Sequence, residues 1–94
     1  MQALQSNPND TDARARYAQA LSEQGACRRA LDQLVVLRGT PAAWNSRLAT
    51  LEGTCWLRLG QLSLAEAALS EALFYDAENE IAHLRAVEVA LQRG

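Results

Sequence analysis

Apolar residues recur along the chain at steps of three and four, and short polar or glycine-bearing breaks divide them into five blocks. That period places the apolar side chains on one face of a helix. Ala13, Tyr17, Ala18 and Leu21 predict a first helix from Asp10 or Thr11 to about Gln24, with Asp10 and Asp12 suited to its N-terminus and Gly25 as its stop. Cys27, Ala30, Leu31, Leu34 and Val35 predict a second over 26–38. Gly39-Thr40-Pro41 breaks the pattern, and Thr40 as N-cap with Pro41 at the first turn predicts a longer third helix running to about Leu59. Its stripe is Trp44, Leu48, Leu51, Cys55 and Leu59, with Ala49, Gly53 and Trp56 on a second line. Leu62, Ala65, Leu69, Ala72 and Leu73 predict a fourth helix over 61–75. Ile81, Leu84, Val87 and Leu91 predict a fifth over 80–92, with Ala82, Ala86, Val89 and Ala90 on adjoining lines.

Two markers share one period. Leu21-Ser22-Glu23-Gln24-Gly25, Trp56-Leu57-Arg58-Leu59-Gly60 and Ala90-Leu91-Gln92-Arg93-Gly94 each end in glycine, spaced 35 and then 34 residues apart. The string from Ala3 to Asp10, which includes Pro8, matches the string from Ala72 to Asn79. A fixed period of this length is the mark of a stacked repeat. The fold class expected is all-α, built of antiparallel helix-turn-helix pairs.

The repeat resembles the tetratricopeptide family, whose pattern is W-x2-L-G-x2-Y, then A-x3-F, then P, over ~34 residues. Ala49, Glu52, Gly53 and Trp56 stand at the first set of positions in the second unit, and Ala65 and Leu69 at the A-x3-F pair. Arg14, Tyr17, Ala18 and Leu21, then Ala30 and Leu34, fill those places in the first unit; His83, Ala86, Val87 and Ala90 begin a third. Small residues at the helix crossings (Ala18, Gly53, Ala30, Ala65, Ala72) are the strongest part of the likeness. Ala77 replaces the terminal Pro, and the linker from Gly39 to Ser46 is one residue too long, which predicts a local change in stacking. The resemblance implies a single domain over 1–94, forming a short α-solenoid with a right-handed superhelix. Residues 3–10 would end a preceding repeat, 11–45 form the first, 46–79 the second, and 80–94 the first helix of a third or a capping helix.

That architecture implies a concave groove lined by the first helix of each unit. Carried onto this chain, the groove presents Arg16, Gln19 and Glu23, with Asp12, Ala15 and Ser22 beside them. From the second unit come Arg47, Thr50, Thr54 and Arg58, with Leu51 and Leu57, and from the third Arg85, with Leu84 and Glu88. Ala15 and Gln19 stand where carboxylate-clamping members carry Lys and Asn, so that clamp is not expected. The four arginines suit forked contacts to acidic groups. Asp12 and Arg16, four apart, can also satisfy each other. Trp44 reads either as a cover over the irregular linker or as an exposed anchor for a partner. The fifth helix is apolar over a wide arc, unlike a polar terminal cap. Ile81, Leu84, Val87 and Leu91 therefore predict either a fragment of a longer array or a homodimer through that helix.

Composition narrows function mainly by exclusion. Ninety-four residues, 49% hydrophobic and 21% charged, suffice for one small folded domain. The formal charge is −2, and nine arginines with no lysine make no basic stripe, so no nucleic acid is expected. The all-arginine set reads as base-composition bias or as a demand for forked contacts. No apolar run spans a membrane, and Met1-Gln2-Ala3-Leu4-Gln5-Ser6 does not open like a signal peptide; cytoplasmic and, for a trimmed chain, periplasmic locations both stay open. Cys27 and Cys55 read as buried thiols, a disulfide being the alternative in an oxidising compartment. With His83 the only histidine, neither a metal site nor a catalytic constellation assembles, and no cofactor is expected. Asn9-Asp10-Thr11 reads as a cap signal or a glycosylation sequon. The expected function is a non-catalytic scaffold or adaptor that binds a protein or peptide within a larger secretion or cell-envelope assembly. A regulatory or substrate-docking segment of a multidomain enzyme is the alternative.

Overall fold

A computed structural model describes residues 10–94. The expectation of a preceding repeat end over residues 3–9, Pro8 included, lies outside the described residues. Among those described, the regular elements are five helices: α1 (Thr11–Glu23), α2 (Cys27–Arg38), α3 (Ser46–Arg58), α4 (Leu62–Tyr75) and α5 (Glu80–Arg93). The all-α expectation holds. The chain divides into two units, one ending at Trp44 and one spanning Asn45–Gly94.

In the first unit α1 packs against α2. Asp10, extended at φ −74° and ψ 99°, starts α1 by accepting the Ala13 N–H at 3.0 Å. The helix stops because Gly25 takes φ +82°, where its N–H reaches the Ser22 carbonyl (3.0 Å) and the Ala26 N–H reaches that of Leu21 (2.8 Å). These paired bonds satisfy carbonyls that a helix end leaves open. Ala18 and Ala30, both wholly buried, let the two helices approach closely among Leu21, Cys27, Leu31 and Leu34. Arg14 reaches Gln33, and Arg29 donates to the Tyr17 hydroxyl at 3.0 Å, tying the helices at their polar margins.

Two details differ from the sequence pattern. Val35 is 67% exposed and Leu37 is buried in its stead, because the buried line of α2 advances by three from Leu34 rather than by one. On α1 the buried arc is wider than the predicted stripe. Ala15 and Ser22, expected on the groove face, are buried.

The third helix begins later than Thr40 and Pro41 suggested. Residues 41–43 form a turn, closed by the Ala43 N–H on the Thr40 carbonyl at 2.9 Å. Asn45, fully extended at φ −153° and ψ −179°, is the cap: its Oδ1 accepts the Leu48 N–H at 3.0 Å. An Asn side chain that meets a free helix N–H outweighs a Pro that merely tolerates a first turn. Trp44 is therefore not part of the α3 stripe.

In the second unit α3 and α4 pair, and α5 packs on both. Gly60, at φ +79°, repeats the Gly25 turn: its N–H meets the Leu57 carbonyl (3.0 Å) and the Gln61 N–H that of Trp56 (2.9 Å). Leu48, Cys55, Leu69, Ala72, Ala82 and Val89 form the core. Cys27 and Cys55 are buried thiols outside any disulfide, one in each unit.

Asn79 fastens α5 to the pair. Its Oδ1 accepts the Ala82 N–H at 3.0 Å, and its Nδ2 donates to Ser46 Oγ (2.8 Å) and Thr50 Oγ1 (3.0 Å). Ser46 Oγ in turn donates to the Ala72 carbonyl at 2.7 Å. One amide thus connects the starts of α3 and α5 with the end of α4.

Candidate functional site

The expected groove residues have different fates. In the first unit Arg16 pairs with Asp12, and Gln19 Nε2 lies 3.3 Å from Glu23 Oε2, both pairs one turn apart on exposed parts of α1. That face is largely self-satisfied. In the second unit Arg47 is exposed near the start of α3. Thr50 is a strut: its hydroxyl donates to the Ser46 carbonyl at 2.8 Å and accepts from Asn79. Thr54, also buried, donates to the Thr50 carbonyl at 2.9 Å.

The structure does bring Thr54, Arg58 and Arg85 together. They line a cavity of about 460 Å³ between α3 and α5, completed by Leu57, Gly60, Glu88 and Gln92. Residues 85, 88 and 92 lie three and four apart, so they share the face of α5 that turns toward this cavity. Arg85 Nη1 donates to Glu88 Oε1 at 2.9 Å; the Arg85 side chain is 29% exposed and that of Glu88 47%. Arg85 Nε is shielded from solvent with no hydrogen-bond partner. Sequence reasoning missed Gln92 and Gly60. The spacing from Arg85 through Glu88 to Gln92 could have found the first, whereas the second contributes backbone at a turn and carries no side-chain signal.

The predicted anchors separate into two kinds. The Trp44 ring is half-buried and lies under the Arg38 guanidinium, 4.3 Å from its centroid. Its Nε1 is shielded and lacks a partner. Such stacking makes Trp44 a covered residue more than a presented one. Ile81, Leu84, Val87 and Leu91 are 50–74% exposed along α5; at 3.6 residues per turn Leu84, Val87 and Leu91 lie opposite buried Ala82 and Val89, and Ile81 flanks them. His83, also exposed, holds the Ala77 carbonyl through Nε2 at 2.8 Å, bracing the turn before α5.

Among the described residues no cluster of His, Cys, Asp or Glu could hold a metal, and no helix is long and apolar enough to cross a membrane. No family model, curated protein or solved structure matches the chain.

Proposed function

We propose that the chain is a non-catalytic, tetratricopeptide-like interaction module whose second unit holds a segment of a partner protein against α3 and α5. The cavity bounded by Thr54, Arg58, Arg85 and Gln92 carries this reading. It is concave, is lined by side chains of two packed helices, and offers hydrogen-bonding groups around a Leu57 floor. Segments bound this way gain orientation from a few placed polar groups. Selection of peptides from a random displayed library, followed by amide-shift mapping, tests it. Binders should perturb Thr54, Gly60 and Gln92. Binders that map to α4 alone would move the function elsewhere.

A second reading, self-association through α5, is favoured by the exposure of Ile81, Leu84, Val87 and Leu91. Val87 stands 34 residues after Gly53, the position on α3 against which Leu69 of α4 packs. A side chain there bars a helix from approaching α5 as closely as α4 approaches α3. A second copy of α5, which needs no such notch, suits the stripe better.

A further inference from the structure

We infer that α5 is the seam of a two-fold, antiparallel contact between two copies of this chain, in which Leu91 of each copy enters a hollow on α5 of the other. The inference rests on the self-association reading above and names the geometry of that contact. Glu80, His83, Leu84 and Val87 line a shallow hollow of about 370 Å³ on α5. Their spacing is i, i+3, i+4 and i+7, the four-cornered hole into which a side chain of a facing helix fits. Leu84, Val87 and Leu91 continue the line from Glu80, and all three are more than half exposed. A line through 80, 84, 87 and 91 advances seven residues in every two steps, the period of a coiled-coil seam. It lies opposite buried Ala82 and Val89, so the packing of α5 within its own unit leaves it open.

The stripe complements itself. Setting Leu91 over the centre of the hole on an antiparallel copy fixes the register of the whole contact, because a two-fold axis makes the contact reciprocal. In that register Leu84 of each copy lies over Val87, Ala90 and Leu91 of the other, where the small Ala90 leaves room for it. Val87 falls beside the axis and meets its own counterpart. Each apolar side chain of the line thus has an apolar counterpart in a second copy.

Charge selects the direction. Glu80 stands on the seam itself. A parallel copy sets two Glu80 carboxylates side by side at one level of the contact, which costs both repulsion and desolvation. The antiparallel register moves them roughly 20 Å apart along the axis. Beside the seam, Glu88 accepts from Arg85 Nη1 at 2.9 Å, so this flank brings no uncompensated charge to its own copy. On the other flank, His83 donates from Nε2 to the Ala77 carbonyl at 2.8 Å, which keeps that corner of the hole in place.

Thiol exchange reads the register. Cys27 and Cys55 are 3% and 0% exposed, so they do not compete with an introduced surface thiol. Leu84→Cys and Leu91→Cys chains, one of them isotope-labelled, are mixed in a glutathione redox buffer and the disulfide-linked products are weighed. The antiparallel register brings position 84 of one copy beside 91 of the other. It offsets 84 from 84, and 91 from 91, by roughly 10 Å along the axis, too far for a disulfide. The mixed product should exceed each self-linked product about tenfold, against about twofold for random pairing. In the parent chain, at concentrations where its mass rises, isotope-filtered NOEs should run from the Leu91 methyls to His83 and Leu84 of the other copy; this arm needs no substitution at the seam. A mixed product no commoner than random pairing gives, or Leu91 methyls that meet Leu91 of the other copy, overturns the antiparallel register while association stands. A parent chain that stays monomeric at every concentration overturns the self-association reading, and the register with it.

Discussion

A Cβ built on Gly53 would lie 2.7 Å from both Cγ and Cδ2 of Leu69, and 3.3 Å from the Ala65 carbonyl oxygen. Glycine at this point of α3 is what allows α4 to lie as close as it does. Gly53→Leu should lower stability by about 3 kcal/mol, because overpacking displaces a leucine set against backbone. Thermal denaturation checks it. Leu69→Ala in the same chain should restore part of the loss, since the two positions share one space and their effects are not additive.

Gly60 is constrained by conformation instead. Nothing lies within 4 Å of a Cβ built there, but φ is +79°. Gly60→Ala should cost about 1–2 kcal/mol from backbone strain alone, and Gly60→Asn less, because Asn tolerates this region. A Gly60→Ala melting temperature equal to that of the parent chain would show that the turn can be rebuilt without the left-handed residue.

Asn79 and Asn45 both cap helices, yet they should differ in worth. Asn45→Ala removes one cap, about 1 kcal/mol. Asn79→Ala removes a cap and also both donations to Ser46 and Thr50, so the loss should reach about 2–3 kcal/mol. Asn79→Asp keeps the acceptor for the Ala82 N–H but not the donors, and should fall between. Chemical denaturation of the three variants orders them, and equal losses for Asn45→Ala and Asn79→Ala would reduce Asn79 to a simple cap.

The helices were legible because their apolar residues follow one period throughout, and the turn glycines because Gly25 and Gly60 take positive φ in identical bond patterns. The start of α3 was misjudged because Thr40 and Pro41 make a plausible local signal that competes with Asn45. The periodic evidence favoured Asn45: Asp10, Asn45 and Asn79 are spaced 35 and 34 residues apart, as the glycines are. Each of the three caps its helix. Ala26 and Gln61, which precede α2 and α4, make no side-chain cap because the glycine turn leads directly into the next helix. Arg58 and Arg85 were expected to share one surface, and both line the cavity between α3 and α5. The roles of Thr50 and Asn79 were not legible, because a hydroxyl or amide that braces three helices looks in sequence like one that faces water.

The apolar side of α5 gives a final expectation. Val89 is 2% exposed and Leu84 57%, although both are aliphatic and lie five residues apart on one helix. Their substitutions should therefore separate folding from association. Val89→Ala leaves a gap against its neighbours and should cost roughly 2 kcal/mol of stability. Leu84→Glu alters a solvated position and should change the stability of the monomer by no more than about 0.5 kcal/mol. If two copies meet through α5, the second change places a carboxylate in that contact and should abolish it, since burying an unpaired charge is costly. Light scattering over a dilution series should then show a mass that rises with concentration for the parent chain and stays monomeric for Leu84→Glu. A parent chain that remains monomeric at the highest concentration would remove self-association and leave the stripe to a different occupant.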